Sequence, residues 1–211
     1  ALHIVLPELL YEQVIEVEER YNAQGEELVP VSLETVRKQL QTVYQQGILS
    51  VAIVFMHGYR YPHHEQQVAT LAQEIGFPQV SVSHQVSPLL KLVSRGDTTV
   101  VDAYLSPILR RYIHHVADTL GQVKLFFMQS HGGLTAANRF QGKDAILSGP
   151  AGGYVGGIKT SVAAGFANII NFDMGGTSTD VRHYSGDYER DFETQVAGVR
   201  ICMPMIKIHT V

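Results

Sequence analysis

An apolar strand that delivers an aspartate into paired glycines, and then resumes as a strand, constrains this chain more than any other feature. The run is Ile169-Ile170-Asn171-Phe172-Asp173-Met174-Gly175-Gly176-Thr177-Ser178-Thr179-Asp180-Val181. Two strands joined by so short a turn must lie antiparallel. Glycines without Cβ let main-chain N–H groups approach phosphate oxygens, and the hydroxyls of Thr177, Ser178 and Thr179 add donors. Asp173 is suited to hold Mg²⁺ directly or through its water shell. The bend at Gly175 and Gly176 therefore reads as a phosphate cradle. An ordinary hairpin whose glycines supply positive φ is the alternative, and the residues leave it open.

The rest of the chain alternates helix and strand. Gln13 to Tyr21 and Glu26 to Val31 form an expected hairpin around Asn22-Ala23-Gln24-Gly25. Ser32 is placed to cap a helix with Leu33, Val36, Leu40, Val43 and Tyr44 at helical spacing, which Gly47 ends. Ile48 to Met56 is continuously apolar, as expected of a central strand covered on both faces. A helix after Pro62, a strand at 80–83, and a long helical segment from Thr98 to Leu120 follow. Pro107 predicts a kink or a break in that segment. Lys124 to Met128 and Asn168 to Asp173 read as buried strands, 150–164 as a helix, and 179–208 as successive strands with a turn at Ser185-Gly186-Asp187. The fold class is α/β, a mixed sheet flanked by helices with a β-rich C-terminal portion.

Two further segments fit ligand binding. Ser148-Gly149-Pro150-Ala151-Gly152-Gly153 opens a helix with Pro150 in its first turn, and such an N-terminus faces anions well. Gly149, Gly152 and Gly153 are candidates for close approach of nucleotide, although helix packing selects glycine equally. The segment is not a Walker loop, because Lys159 lies one residue too far from Gly157, and it does not fit G-x-G-x-x-G. Met128-Gln129-Ser130-His131-Gly132-Gly133-Leu134 ends a strand, where open α/β sheets place ligands, so Ser130, Gly132 and Gly133 join the candidates. A solvated strand exit explains them as well. His57, His63, His64 and His84 lack the i, i+4 spacing or carboxylate pairing of a metal site, and His114 and His115 are adjacent, hence on different helix faces.

Composition narrows the setting. A chain of 211 residues buries roughly 70% of its unfolded surface, enough for one sizeable core or two small lobes. A net charge of -4 with 17% charged residues gives no polyanion-binding surface, so nucleic acid is not an expected partner. The longest apolar stretch falls well short of the roughly 20 residues that span a membrane. Cys202 is the single cysteine, which excludes an internal disulfide and fits a reducing, cytoplasmic setting; its apolar surroundings suit a buried small hydrophobe. Ala1 opens the chain without an initiator methionine, and Val211 closes it straight after an apolar run. An internal piece of a longer polypeptide is the expectation.

The strand-Asp-x-Gly-Gly-Thr-strand run resembles the hairpin that the actin/Hsp70/sugar-kinase fold, a ribonuclease H-like ATPase fold, carries in each of two lobes. More specifically, 128–134, 147–153 and 172–181, in that order and spacing, resemble the hydantoinase A/5-oxoprolinase family. Thr98 to Leu105, His57-Gly58-Tyr59-Arg60 and 204–211 extend the likeness over nearly the whole chain. The resemblance implies residues 1–121 as the remainder of a first lobe and 122–211 as the start of a second. It implies ATP and Mg²⁺ as cofactors, with Gly175, Gly176 and Thr177 positioning terminal phosphates, Asp173 with Mg²⁺ offsetting developing charge, and Asp180 orienting the metal's waters or the turn. The implied reaction phosphorylates a cyclic amide carbonyl, as in 5-oxoproline or an N-substituted hydantoin, for hydrolytic opening. A hydantoinase B-type subunit or fused domain is the implied partner. Acetone carboxylase-type activation, a sugar kinase and a chaperone-like ATPase lobe are the alternatives. The family's first Asp-Gly-Gly-Thr motif is absent here, as is the glycine-rich segment expected beyond Val211, so weak ATP binding without turnover is expected of these residues alone.

Overall fold

The computed structural model describes residues 9–176 and 178–210, so Thr177 at the expected bend lies outside the described residues. The chain divides into two compact units, Ala1–Arg110 with Gln195–Cys202, and Arg111–Thr194 with Met203–Val211. Among the described residues no helix is long and apolar enough to cross a membrane.

In the first unit, β1 (Arg20–Tyr21) and β2 (Glu27–Val29) pair antiparallel around the expected turn, where the Asn22 side chain accepts from Gln24 N–H and Glu26 N–H. The first strand is much shorter than the alternation from Gln13 suggested. Next come α1 (Leu33–Gln45), β3 (Ser50–Ile53), α2 (His63–Ile75), β4 (Gln79–Val82) and the short α3 (Ser83–Val86). β3 and β4 are parallel, from Ser50 opposite Gln79 to Ile53 opposite Val82, and α2 makes the crossover that a parallel pair needs. Val36, Leu40 and Val43 of α1 and Val68, Leu71 and Ala72 of α2 are buried with Ile53 and Val82, so both amphipathic stripes meet in one core. Gly76, in the left-handed region at φ 111°, ends α2, and Phe77 N–H reaches back to Ala72 O while its ring enters the core.

Three expectations change here. Ser32 precedes α1 without a side-chain cap bond, its hydroxyl meeting that of Thr35 instead. Of the run from Ile48 to Met56, four residues form a strand, and β3 pairs with β4 alone among the described residues, so it is not central. Finally, α4 (Leu92–Leu120) continues through Pro107 without a break. Proline removes one backbone bond, and side-chain bonds brace the helix upstream: Thr98 and Thr99 hydroxyls bond the carbonyls of Ser94 and Arg95, and Asp102 accepts from Ser81 and Ser106. The division between the units falls within α4. β10 (Thr194–Val196) and β11 (Val199–Ile201) form a hairpin whose turn residues Ala197 and Gly198 both have positive φ.

In the second unit, β5 (Phe126–Met128) and β6 (Leu134–Ala136) pair antiparallel, α5 spans Ser148–Ala163, and β7 (Ile169–Met174) and β8 (Thr179–Tyr184) make the hairpin read from sequence. β13 (His209–Thr210) extends that sheet along β8, and β9 (Arg190–Asp191) pairs with β12 (Met205–Ile206). The core is Ala151, Tyr154 and Ile158, at i, i+3 and i+7 on α5, with Ile206. Neither β5 nor β7 is buried throughout, contrary to the sequence reading: Phe126 is exposed, as are Ile170, Phe172 and Met174 on one face of β7. The other face of β7 meets α5.

Leu40 is 3% exposed at the centre of the first unit's core. Leu40→Ala should cost about 2–5 kcal/mol, the range for a buried leucine truncated to alanine, measured by urea unfolding of the chain.

Candidate phosphate site

The hairpin register sets the site. Asp173 lies directly opposite Asp180, and Asn171 opposite Arg182, so these four side chains share one face. That face is the one against α5. A Cβ placed on Gly153 would stand 3.6 Å from Asp173 Oδ2, and one on Gly157 would stand 2.6 Å from Asn171 Nδ2. Four residues along a helix advance about 6 Å, and two along a strand advance about 6.7 Å. The two elements therefore step together from Gly157 and Asn171 to Gly153 and Asp173. A Cβ on Gly149 or on Gly176 would meet nothing within 4 Å. The 16-residue helix begins just before Gly149, at Ser148, with the partial positive charge of a helix N-terminus.

Within the bend, Gly175 N–H donates to Ser178 O at 3.0 Å, and Gly176 N–H has no partner among the described residues. Gly175, Gly176 and Ser178 are exposed, while Thr179 and Asp180 are half-buried. Neither glycine lies in the left-handed region, so the backbone conformation of the turn does not demand them. Leu147 does adopt a left-handed conformation, φ 56°, immediately before α5. Such a conformation is costly for leucine, and it persists where the surroundings over-determine it.

The two aspartates are not equivalent. Asp180 Oδ2 accepts from Arg182 Nη2 at 3.0 Å, and its Oδ1 accepts from the Thr210 hydroxyl at 2.8 Å. Both oxygens are engaged in bracing β8 and β13. Asp173 is exposed and has no hydrogen bond or ion pair among the described residues. A single free carboxylate beside water suits Mg²⁺, which keeps most of its hydration shell. Arg182, 2% exposed, stacks its guanidinium 5.7 Å from the centre of the Tyr154 ring. Burial, ahead of the nearby Glu189 and Tyr188, pushes the Tyr154 hydroxyl pKa up, so the group stays protonated and donates to His183 O at 2.6 Å. Arg182, Tyr154 and Asn171 are not among the candidate residues read from sequence; the i, i+2 step from Asp180 to Arg182 on one strand face was the available signal.

The remaining candidates divide. Gly152 packs on Met128, its Cβ position 3.5 Å from Cγ, which joins the end of β5 to α5. The Ser130 hydroxyl, with one proton to give, lies 2.8 Å from Asp144 O and 2.5 Å from Ile146 O, and Ser130 is 1% exposed, so it serves the backbone around it. Gly132 has φ 87° and a Cβ there would lie 2.8 Å from Ile206 Cδ1, a turn and packing role; Gly133 is pressed by the His131 ring. Carboxylate pairing of histidines, not visible in sequence, exists in the first unit: His64 lies between Glu19 (2.8 Å) and Glu27 (2.9 Å), and His84 meets Glu65. No group of three or more His, Cys, Asp or Glu residues that could hold a metal ion occurs among the described residues. Cys202 is buried, as its apolar run suggested.

Removing Asp180 leaves the buried Arg182 charge without its ion pair. Asp180→Ala should lower stability by about 3 kcal/mol, the cost of orphaning a buried charge, measured by chemical unfolding.

Comparison with known proteins gives the family and the fold. The Hydantoinase/oxoprolinase family model matches residues 95–211, and the Hydantoinase/oxoprolinase N-terminal region matches residues 1–76. The chain is 43% identical to 5-oxoprolinase 1 of Arabidopsis thaliana over 234 residues, covering all of this chain and 18% of that protein. It is 33% identical to caprolactamase subunit alpha of Pseudomonas jessenii, over 90% of this chain and 29% of that one. The chain therefore spans about a fifth to three tenths of these relatives. The crystal structure of the ATP-dependent caprolactamase from the same organism superposes with a TM-score of 0.82 at 30% identity, over 92% of this chain and 29% of that one. Nucleotide-free acetone carboxylase superposes with a TM-score of 0.79 at 23% identity over the same shares, a likeness of fold. The α/β ATPase-type fold expected from the sequence is thus the fold observed, and the chain belongs to the hydantoinase/oxoprolinase family.

Proposed function

We propose that this chain is the phosphate-binding portion of an ATP-dependent hydrolase of cyclic amides, of the 5-oxoprolinase or hydantoinase type. The observation that carries the reading is the free Asp173 carboxylate, set against a Cβ-less helix at Gly153 and below the bare Gly175–Gly176 bend. Terminal phosphates of ATP fit between that bend and the α5 N-terminus, where main-chain N–H groups offer donors without side-chain bulk. Gly176 N–H and the Ser178 and Thr179 hydroxyls supply donors from the bend, and Thr177, outside the described residues, is the further donor that the family resemblance implies. Gly149 leaves room at the helix entrance, and Gly152 and Gly153 let α5 lie close to β5 and β7. Asp173 is the residue to hold Mg²⁺, which when bound offsets charge on the transferred phosphoryl group.

Asp180 acts in this scheme by bracing the bend through Arg182 and Thr210. Phosphorylation of the amide oxygen makes its carbon electrophilic, so that water attacks an activated carbon in place of a resonance-stabilised amide. Residues 1–121 belong to a first lobe and 122–211 to a second, phosphate-binding lobe. The relative named as an alpha subunit supports a second, B-type subunit or fused domain as partner. A cytoplasmic setting fits a buried, free cysteine.

ADP release from the complete protein should depend on 5-oxoproline, a hydantoin or another lactam, and product analysis should find the opened ring. Asp173→Ala should reduce that release at least about 10²-fold, the scale for loss of one preorganised electrostatic group at a reacting centre. Release unaffected by the substitution, or by the amide, would remove the reading.

A further inference from the structure

The first unit holds a side-chain cluster that the phosphate site does not use. β3 and β4 are parallel and end side by side at Ile53 and Val82, and α/β sheets bind ligands beyond the carboxyl ends of such strands. Glu65, on the first turn of α2, is fully buried there. Its Oε1 accepts from Phe55 N–H at 2.9 Å and from the Ser83 hydroxyl at 2.5 Å. Its Oε2 accepts from His84 N–H at 3.0 Å and from His84 Nδ1 at 2.7 Å. Gly58 makes this approach possible, since a Cβ there would collide with Glu65 Oε1. Arg95, itself fully buried, balances the carboxylate: it donates to Ser83 Oγ at 2.8 Å and to the carbonyls of Phe55, Met56, Leu89 and Leu90, and lies over the Tyr59 ring.

A carboxylate accepts only, so the bond at 2.7 Å places a proton on His84 Nδ1. In the neutral ring Nε2 then carries the lone pair. Nε2 has no hydrogen-bond partner among the described residues, and the His84 side chain is 12% exposed. A histidine whose tautomer is fixed by a buried carboxylate, with its second nitrogen left to solvent at the mouth of a parallel strand pair, has the form of a proton-transfer group.

We propose that His84, oriented by Glu65, is a catalytic acid–base residue for opening the amide ring. The inference rests on the amide-hydrolase reading for its substrate, while its geometry lies wholly within the first unit. An O-phosphorylated cyclic amide is an imidate, with a carbon–nitrogen double bond. The oxygen of water bonds to that carbon as one of its protons passes to Nε2, and the imidate π electrons move to nitrogen. Nε2 returns the proton to nitrogen, then relays the second proton from the new hydroxyl as the carbonyl forms and the C–N bond breaks. The opened chain carries an acyl phosphate at one end and the released nitrogen at the other, a primary amine from 5-oxoproline or a carbamoyl group from a hydantoin, and a second water cleaves the acyl phosphate to carboxylate and phosphate. His84 ends as it began.

His84→Asn separates this role from a structural one, because the asparagine amide keeps a donor near Nδ1 for Glu65 and removes Nε2. In the complete protein, with 5-oxoproline and hydantoin as probes, kcat for ring opening should fall about 10²–10³-fold while KM for ATP and the melting temperature stay near wild type. Imidazole added to His84→Gly should restore part of the rate. Full turnover in His84→Asn, or a loss of melting temperature without rescue by imidazole in the glycine variant, overturns the proposal. A wild-type protein without amide-dependent ADP release would instead sink the amide-hydrolase reading itself.

Discussion

The second unit depends on the close approach of α5 to β7. Gly153 and Gly157 face Asp173 and Asn171; a Cβ at Gly157 would collide with the Asn171 amide, while one at Gly153 would only touch the Asp173 carboxylate. Without that contact Asp173 would have no fixed wall behind it. The glycines of this helix lower its intrinsic stability, by roughly 1 kcal/mol each relative to alanine. Burial of Ala151, Tyr154 and Ile158 against Ile206 offsets that loss. Along the helix, Gly152, Gly153 and Gly157 face neighbouring side chains, while Gly149 and Gly156 face open space.

Beneath the bend, charge is arranged so that one carboxylate is engaged and the other free. Asp173 and Asp180 are register partners on one face, and two negative groups so close repel. Arg182 answers Asp180, Thr210 fixes its second oxygen, and the Tyr154 ring carries the guanidinium. Asp173 has no partner among the described residues, which is why the proposed function gives it the Mg²⁺. Buried Arg182 Nε and Nη1 and Asn171 Oδ1 have no hydrogen-bond partner among the described residues.

Much of this was legible from sequence where local chemistry dictates structure. The Gly-Gly hairpin, the amphipathic stripes of α1 and α2 and the helix opening at Ser148 follow from spacing and turn residues. What escaped was set by partners distant in sequence. Continuous apolarity at Ile48 to Met56 suggested a strand covered on both faces, yet β3 has β4 alone beside it. Ile170 and Phe172 suggested burial, yet that face of β7 is exposed. Pro107 suggested a break, yet α4 runs on, with Asp102, Thr98 and Thr99 bonded along it. Ser130 looked like a ligand contact because it follows a strand, and no local signal reveals that Asp144 and Ile146 take its hydroxyl. Likewise, the pairing of His84 with Glu65 joins residues 19 positions apart.

The central claim is that main-chain amides of the β7–β8 bend receive the phosphates of a nucleotide, and amide chemical shifts of the labelled chain titrated with Mg²⁺ and ATP test it most directly. The account predicts saturable shifts at Gly176 and Ser178, with Gly149 responding at the facing helix end and Leu40 in the other unit's core unmoved. Unchanged resonances at the bend, with nucleotide-dependent shifts confined to other parts of the chain, would contradict it.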